Sequence, residues 1–272
     1  MDSKRSIMSR LISSAMLIAI VMSTIFLAPI WLFSLVVSVF ILLGTREFFS
    51  LAAKNNVFVH KGIGLILAAF LPIITWLQCG DANFGIEPFY IVLSALFIFI
   101  IQLSRKDNKE AIYSVSITLF GILYISWLFS FIIKIRYLPN GPFLVFFLIL
   151  VTKGADAAAY FIGSLFGKHY LIPHISPKKT IEGTMAAFVT SVILALASRA
   201  YLPFLDNFHL LTLGILFGFL GQIGDLSESL LKRNFAAKDS SNMLRGLGGV
   251  LDVLDSLLFT TPIFYFYLKL FI

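Results

Sequence analysis

The chain has 272 residues, of which 59% are hydrophobic and 13% charged, and its mean hydropathy is +0.95. This composition excludes a soluble globular domain, because too few polar residues are present to cover a surface in water. The formal net charge of +7 does not favour nucleic-acid binding, since the basic residues are scattered over short segments, and a single cysteine excludes an internal disulfide.

Apolar runs long enough to cross a membrane recur along the whole chain. A membrane-spanning helix needs about 20 predominantly apolar residues, and windows of that length predict nine helices. The predicted spans are 9–28, 30–51, 62–79, 88–104, 112–135, 142–164, 180–198, 208–227 and 249–271. We therefore expect an all-α, polytopic integral membrane protein.

The distribution of lysine and arginine predicts the orientation of the spans. Of the 21 basic residues, sixteen fall on the side of the N-terminus, four fall on the other side, and Lys153 lies inside a span. Loops that carry an excess of lysine and arginine face the cytoplasm. We therefore expect a cytoplasmic N-terminus.

Ionisable residues are concentrated in the second half of the chain. The spans before about residue 150 are nearly free of them, except close to helix ends. The later spans hold or adjoin Lys153, Asp156, Asp225, Glu228, Asp252 and Asp255. Because a charge at membrane depth costs several kcal/mol unless it is paired or hydrated, such residues usually serve a function. We predict scaffold helices in 1–140 and, in 141–272, a catalytic region with cytoplasmic phosphate-binding loops.

The segment before the seventh span resembles a helix start. Ser176 can cap a helix, and Pro177 suits a first helical turn. Lys178, Lys179 and Thr180 would then surround the positive end of a helix, where an anion is stabilised. An ordinary helix start with two cytoplasmic lysines is the alternative, and on these residues alone it is slightly favoured.

Two pairs of acidic residues lie on the last two spans. Asp225 and Glu228 are three positions apart, as are Asp252 and Asp255, so each pair shares one face of its helix. Clusters of carboxylate oxygens suit hard cations such as Mg²⁺. Pairing with nearby basic residues is an equal alternative, for which the candidates are Lys232, Arg233 and Arg245.

A basic, glycine-rich loop connects these two spans. Gly246, Gly248 and Gly249 would let backbone N–H groups approach an anion closely, at the N-terminus of the following helix. A flexible connector is the alternative. The loop opens directly onto Asp252 and Asp255, however, which would place phosphate donors and metal ligands within a turn or so of each other.

Taken together, these residues resemble the signature of phosphatidate cytidylyltransferases. That pattern is roughly S-x-x-K-R-x(4)-K-D, then P-G-H-G-G, then D-R-x-D. The matching residues are Gly224-Asp225, Glu228-Ser229, Lys232-Arg233, Lys238-Asp239, Gly246, Gly248-Gly249, Asp252 and Asp255, with Lys153-Gly154-Ala155-Asp156 and Ser176–Thr180 upstream. Arg245, Leu247 and Val253 depart from it, standing where the family usually has Pro, His and Arg. Every acidic position is kept.

The resemblance implies an enzyme that converts CTP and phosphatidic acid into CDP-diacylglycerol and pyrophosphate. It implies a bacterial-type inner membrane with the active site facing the cytoplasm, and it suggests a homodimer. Asp225, Asp252 and Asp255 would hold Mg²⁺, with a second cation possible, and Lys232 and Arg233 would join them in catalysis. The implied substrate-binding residues are Ser176, Lys178, Lys179, Thr180, Lys238, Asp239, Arg245, Gly246, Gly248, Gly249 and Asp156.

Three alternatives belong to other functional classes or substrates. A cytidylyltransferase acting on another lipid phosphate would show much the same sequence. An ion-coupled transporter would place broken helices in two repeated halves, whereas the polar residues here lie in one half. A structural or assembly protein would not need four membrane-level acids beside a basic glycine-rich loop.

Overall fold

The computed structural model describes residues 15–55, 58–80, 85–106, 108–237, 241 and 248–272. These residues are helical except for short connections and one two-stranded hairpin. The helices are α1 (Ala15–Phe26), α2 (Ile30–Ala52), α3 (Lys61–Gly80), α4 (Ile86–Leu103), α5 (Ala111–Gly121), α6 (Leu128–Tyr137), α7 (Gly141–Phe166), α8 (Ile181–Ala197), α9 (Asn207–Asn234) and α10 (Val250–Phe271). The strands are β1 (Tyr170–Ile172) and β2 (Ser176–Thr180).

Within the described part of the chain, eight helices are long and apolar enough to cross a membrane. In this count α5 and α6 form one span, Ala111–Tyr137, because a π-helical segment at Ile122–Trp127 joins them without a break. The all-α polytopic membrane fold predicted from the sequence is confirmed. The first predicted span corresponds to the shorter helix α1, and its predicted start at residue 9 lies outside the described residues. The side of the membrane on which the N-terminus lies stays a prediction.

The contacts divide the chain into two compact units. The first consists of the described parts of Met1–Tyr137 and Phe235–Val253. Its core contains a buried apolar cluster from α3, α4, α5 and the π-helical segment, formed by Ala68, Leu71, Ile98, Val115 and Ile122. A partly buried ion pair joins Lys134 of α6 to Glu87 of α4, with 2.6 Å between Nζ and Oε2.

The second unit consists of Leu138–Asn234 and Leu254–Ile272. Phe147, Phe217 and Phe264 pack against one another in its core, with ring centroids 5.2 to 5.6 Å apart. Helices α7 and α8 approach closely at Gly183, where an added Cβ would lie 2.7 Å from the carbonyl oxygen of Ala159. The predicted functional division at residue 140 stays a prediction.

The segment Ser176–Thr180 is a strand, so the prediction that Ser176 caps a helix was wrong. The strand β2 pairs with β1 in antiparallel register, with Tyr170 opposite Thr180. A residue before proline, such as Ser176, favours extended backbone. Pro177 has no backbone N–H to donate, which a two-stranded hairpin tolerates because each strand has an unpaired edge. The helix α8 begins later, at Ile181, and Thr180 caps it by accepting a hydrogen bond from the Gly183 N–H at 3.2 Å.

Candidate active site

Three carboxylates from two helices meet in the second unit. Asp225 and Glu228 come from α9 and Asp255 comes from α10, and one oxygen of each lies within 4.8 Å of the others. Glu228 and Asp255 are buried, and Asp225 is partly exposed. The i, i+3 spacing indicated only that each pair of acids shares one face of its own helix. Glu228 was recognised as the partner of Asp225 on one helix face, but it was not named among the metal ligands.

Each carboxylate of the acidic cluster also contacts a lysine. Lys179 lies 2.8 Å from Asp225, and Lys232 lies 2.5 Å from Glu228, as measured between Nζ and a carboxylate oxygen. The third contact, 3.3 Å long, joins Lys153 to Asp255. The ion-pair alternative is therefore present in the structure, with Lys232 as one of its predicted cations, and the metal site stays a prediction. Flexible lysine side chains can yield these oxygens to another cation.

Lys153 is the centre of a partly buried polar network on α7 and α10. Its Nζ contacts Asp156 Oδ2 at 3.1 Å and donates a hydrogen bond to Ser256 Oγ at 2.7 Å. Ser256 Oγ in turn donates to Asp156 Oδ2 at 2.7 Å. The backbone N–H of Ser256 donates to Asp255 Oδ1 at 2.6 Å. Sequence reasoning placed Lys153 inside a span but assigned no role to it or to Ser256.

A glycine allows α9 and α10 to approach each other beside the acids. A Cβ added to Gly224 would lie 2.4 Å from the Asp255 carbonyl oxygen and 2.9 Å from Ser256 Cα. Any larger residue would therefore push the backbone of α10 away. The Gly224-Asp225 dipeptide thus places a carboxylate next to a position at which the two helices come very close together.

A cavity of about 530 Å³ adjoins the acidic cluster and is bounded by α7, α8, α9 and the hairpin. Its lining includes the predicted substrate-binding residues Lys178, Lys179, Thr180 and Asp156, together with Asp225. The remaining lining residues are Ala159, Tyr160, Gly163, Ser164, Gly167, Tyr170, Pro177, Gly183, Thr184 and Gln222. Ser176 is not among them, although its neighbours in β2 are. Sequence reasoning missed Gln222 and Thr184, which carry no motif signal of their own.

The first turn of α10 uses its backbone N–H groups on carboxylates of the protein itself. The Gly249 N–H donates to Asp252 Oδ2 at 2.6 Å. The next two N–H groups, of Val250 and Leu251, donate to the Glu47 carboxylate. Gly248 has a φ of +90°, a conformation that favours glycine. Asp252 is not one of the three clustered acids, and the assignment of Asp252, Gly248 and Gly249 to metal or phosphate stays a prediction.

The other residues assigned from the sequence fall into two groups. Arg233 donates from Nε to the Ile175 carbonyl oxygen at 3.2 Å, on the connection that leads into β2. A catalytic role for Arg233 or Lys232 stays a prediction. Four substrate-binding assignments lie outside the described residues, namely Lys238, Asp239, Arg245 and Gly246.

Comparisons with known proteins agree over most of the chain. The family model described as "Cytidylyltransferase family" matches residues 8–271. The phosphatidate cytidylyltransferase of Bacillus subtilis (strain 168) is 35% identical over 214 residues, which cover 77% of this chain and 78% of that protein. The phosphatidate cytidylyltransferase of Chlamydia pneumoniae is 33% identical over 243 residues, or 83% and 78% of the two chains. The phosphatidate cytidylyltransferase of Staphylococcus aureus (strain COL) is 33% identical over 201 residues, which cover 74% of this chain and 76% of that protein.

Proposed function

The chain belongs to the cytidylyltransferase family, and from this premise we propose that it transfers the cytidylyl group of CTP to phosphatidic acid. The products are CDP-diacylglycerol, which stays in the membrane, and pyrophosphate. Relatives at 33 to 35% identity that bear the name phosphatidate cytidylyltransferase support this substrate pair. A cytidylyltransferase acting on another lipid phosphate would need the same site, but the names of these relatives do not favour it.

One observation of the structure carries the proposal, namely the contact between the acidic cluster and the cavity. Asp225 belongs to both, and Lys178 and Lys179 line the same cavity. A volume of about 530 Å³ lies within the range of about 300 to 1,000 Å³ found for small-molecule sites. Lysines on a cavity wall beside clustered carboxylates are the groups that a phosphoryl-transfer site requires.

The charge balance of the site supports a divalent cation. Among the described residues, the ion pairs of the site join four acids to three lysines, so these paired groups carry no net positive charge. The acids are Asp156, Asp225, Glu228 and Asp255, and the lysines are Lys153, Lys179 and Lys232. Two polyanionic substrates need additional cations to come together. An all-oxygen donor set fits Mg²⁺, and Asp225, Glu228 and Asp255 would hold it, with Asp252 as the further ligand inferred from the resemblance. When bound, Mg²⁺ neutralises charge on the phosphate oxygens and on the leaving pyrophosphate.

The proposed reaction depends more on the positioning of the two substrates than on proton transfer. An oxygen of the phosphatidate phosphate attacks the α-phosphorus of CTP, and the bond from that phosphorus to the bridging oxygen breaks as pyrophosphate leaves with the electron pair. The attacking oxygen is already anionic, so no strong base is required. Lys178 and Lys179 bind phosphate oxygens in the cavity, while Lys153 and Ser256 keep Asp156 and Asp255 oriented.

The site lies at one end of the helices that form it. The C-terminal part of α7, the N-terminus of α8 and the C-terminal part of α9 bound the cavity. The positive-inside count assigns the loops at this end to the cytoplasm, where CTP is dissolved. We therefore propose a cytoplasm-facing site in an inner membrane. The homodimer suggested by the resemblance stays a prediction.

A reconstitution assay tests the proposal directly. Purified protein in detergent–lipid micelles is given CTP, Mg²⁺ and phosphatidic acid, and both pyrophosphate and the cytidylylated lipid are measured. We expect equal amounts of the two products and none when chelator replaces Mg²⁺. A polyprenyl phosphate in place of phosphatidic acid distinguishes the second candidate. No product with any lipid phosphate would contradict the assignment.

A matched pair of variants on α9 links the activity to the site. Asp225→Asn should lower turnover by about 100-fold or more, because it removes a charged oxygen ligand. Asp206→Asn is the control, since Asp206 caps the other end of α9 and accepts a hydrogen bond from the His209 N–H at 2.9 Å. The two acids are separated by about 28 Å along the helix, at 1.5 Å per residue. Asparagine is also a good capping residue, so the control should keep full turnover.

A further inference from the structure

A glutamate from α2 binds the N-terminus of α10. Glu47 is buried, with 4% of its surface exposed. Its Oε1 accepts a hydrogen bond from the Val250 N–H at 3.1 Å, and its Oε2 accepts one from the Leu251 N–H at 2.9 Å. The Ser241 hydroxyl donates a third hydrogen bond to Oε1. All four residues belong to the first unit.

The residue before α10 cannot cap the helix with a side chain. The residue before the helix is Gly249, which has no side chain to accept hydrogen bonds from the first turn. In a capping box the third helical residue bonds back to the N–H of the capping position, and Asp252 does this with the Gly249 N–H at 2.6 Å. The other half of a capping box is an acceptor for the N–H groups of the first turn, and Glu47 of α2 provides it. The positive end of the helix dipole and two N–H donors offset the desolvation of its buried charge.

We propose that Glu47 is a positioning residue, which fixes the first turn of α10 and thereby the orientation of the Asp252 carboxylate. This inference rests on the proposed function, in which Asp252 is a metal ligand. Without Glu47, the N–H groups of Val250 and Leu251 lose their acceptor. Asp252 is the carboxylate in the same turn, and it is drawn onto those donors because buried N–H groups rarely stay unpaired.

Gly248 lies very close to this acid. A Cβ at Gly248 would lie 2.5 Å from Asp252 Oδ2. The carboxylate is therefore bounded by Gly248 on one side and accepts a hydrogen bond from the Gly249 N–H. A rotation of Asp252 toward the helix end changes which oxygen it can offer to a cation. Mutation of a residue that orients a metal ligand in this way typically changes the metal affinity by about 10- to 100-fold.

The test compares two buried glutamates of the same unit. Glu47→Gln keeps the size of the side chain but loses the charge and turns one acceptor oxygen into a donor. Glu87→Gln is the control, because Glu87 is 3% exposed and pairs with Lys134, not with α10. Both variants should lower thermal stability. Only Glu47→Gln should raise the half-saturating Mg²⁺ concentration for pyrophosphate release, by about tenfold.

Two further readouts do not depend on turnover. Hydrogen–deuterium exchange of the amides of residues 249–252 should become faster in Glu47→Gln and stay unchanged in Glu87→Gln. Binding of Mn²⁺, followed by the paramagnetic resonance signal of the free ion, should weaken in Glu47→Gln alone. Unchanged exchange, or an unchanged Mg²⁺ requirement with only less folded protein, would overturn the inference. An inactive wild-type protein would instead contradict the proposed function, while exchange and Mn²⁺ binding would still decide the role of Glu47.

Discussion

Replacing Lys153 by methionine removes the cation that contacts Asp255 at 3.3 Å and Asp156 at 3.1 Å. Methionine has a similar length and no charge, so the change removes the ion pairs and keeps most of the packing. The Asp255 side chain is only 10% exposed, whereas that of Asp156 is 28% exposed. The loss therefore falls mainly on Asp255, which cannot recover its hydration from solvent.

The magnitude follows from the burial of the two partners. Breaking a fully buried pair costs about 3 to 5 kcal/mol, and the partial exposure of Lys153, at 29%, reduces this to about 2 to 3 kcal/mol. Asp255→Asn alone should cost about 1 kcal/mol, because Lys153 keeps its contacts with Asp156 and Ser256. The double variant contains no unpaired charge at position 255. It should lose about 1 to 2 kcal/mol, clearly less than the sum of the two single changes.

Equilibrium unfolding by sodium dodecyl sulfate in mixed micelles measures the four free energies of this cycle. A parallel cycle that combines Lys134→Met with Asp255→Asn serves as the control, because Lys134 pairs with Glu87. We expect additive losses in the control and non-additive losses for Lys153 and Asp255. Additivity in both cycles would refute the view that Lys153 stabilises the ionised Asp255.

Changes at three residues test separate parts of the site, and Gly62 on α3 provides a control. Gly224→Ala should lower stability by about 1 to 3 kcal/mol and reduce pyrophosphate release, because its Cβ would meet the backbone of Asp255 at 2.4 Å. Gly62→Ala, which meets nothing within 4 Å, should leave the unfolding midpoint unchanged or slightly higher. Asp252→Asn should abolish turnover while the protein stays membrane-inserted, and near wild-type turnover would show that Asp252 is not a ligand. Thr180→Ala should cost about 1 kcal/mol by removing the α8 cap, and Thr180→Ser should restore it in thermal melts.

The membrane fold was predictable because its signal is local. Each span is recognised by a run of about 20 apolar residues, and no information from elsewhere in the chain is needed. The prediction for Ser176 failed for a related reason. Serine and proline favour both a helix start and an extended strand, and pairing with Tyr170 and Ile172 selected the strand. Local sequence was ambiguous there, and a contact several residues away decided it.

Asp225 and Asp255 were predictable as site residues because an ionisable side chain is costly within a membrane. The presence of a carboxylate in an apolar span therefore indicates a function. Their partners were not predictable in the same way. The i, i+3 spacing paired Asp252 with Asp255, whereas the structure groups Glu228 with Asp225 and Asp255 and engages Asp252 at the helix end. Spacing reports which residues share a helix face, but it does not report which face meets another helix.

The sequence by itself determined that this chain lies in a membrane, which of its helices carry charge, and which family signature those charges form. Only the tertiary structure decided that Lys153 joins Asp156 to Asp255, and that Glu47 caps a helix that begins about 200 residues later. The physical reason is the distance along the chain over which each interaction acts. Hydrophobicity and spacing act within one helix, whereas a hydrogen bond or ion pair between helices depends on packing, which close contacts such as that at Gly224 determine.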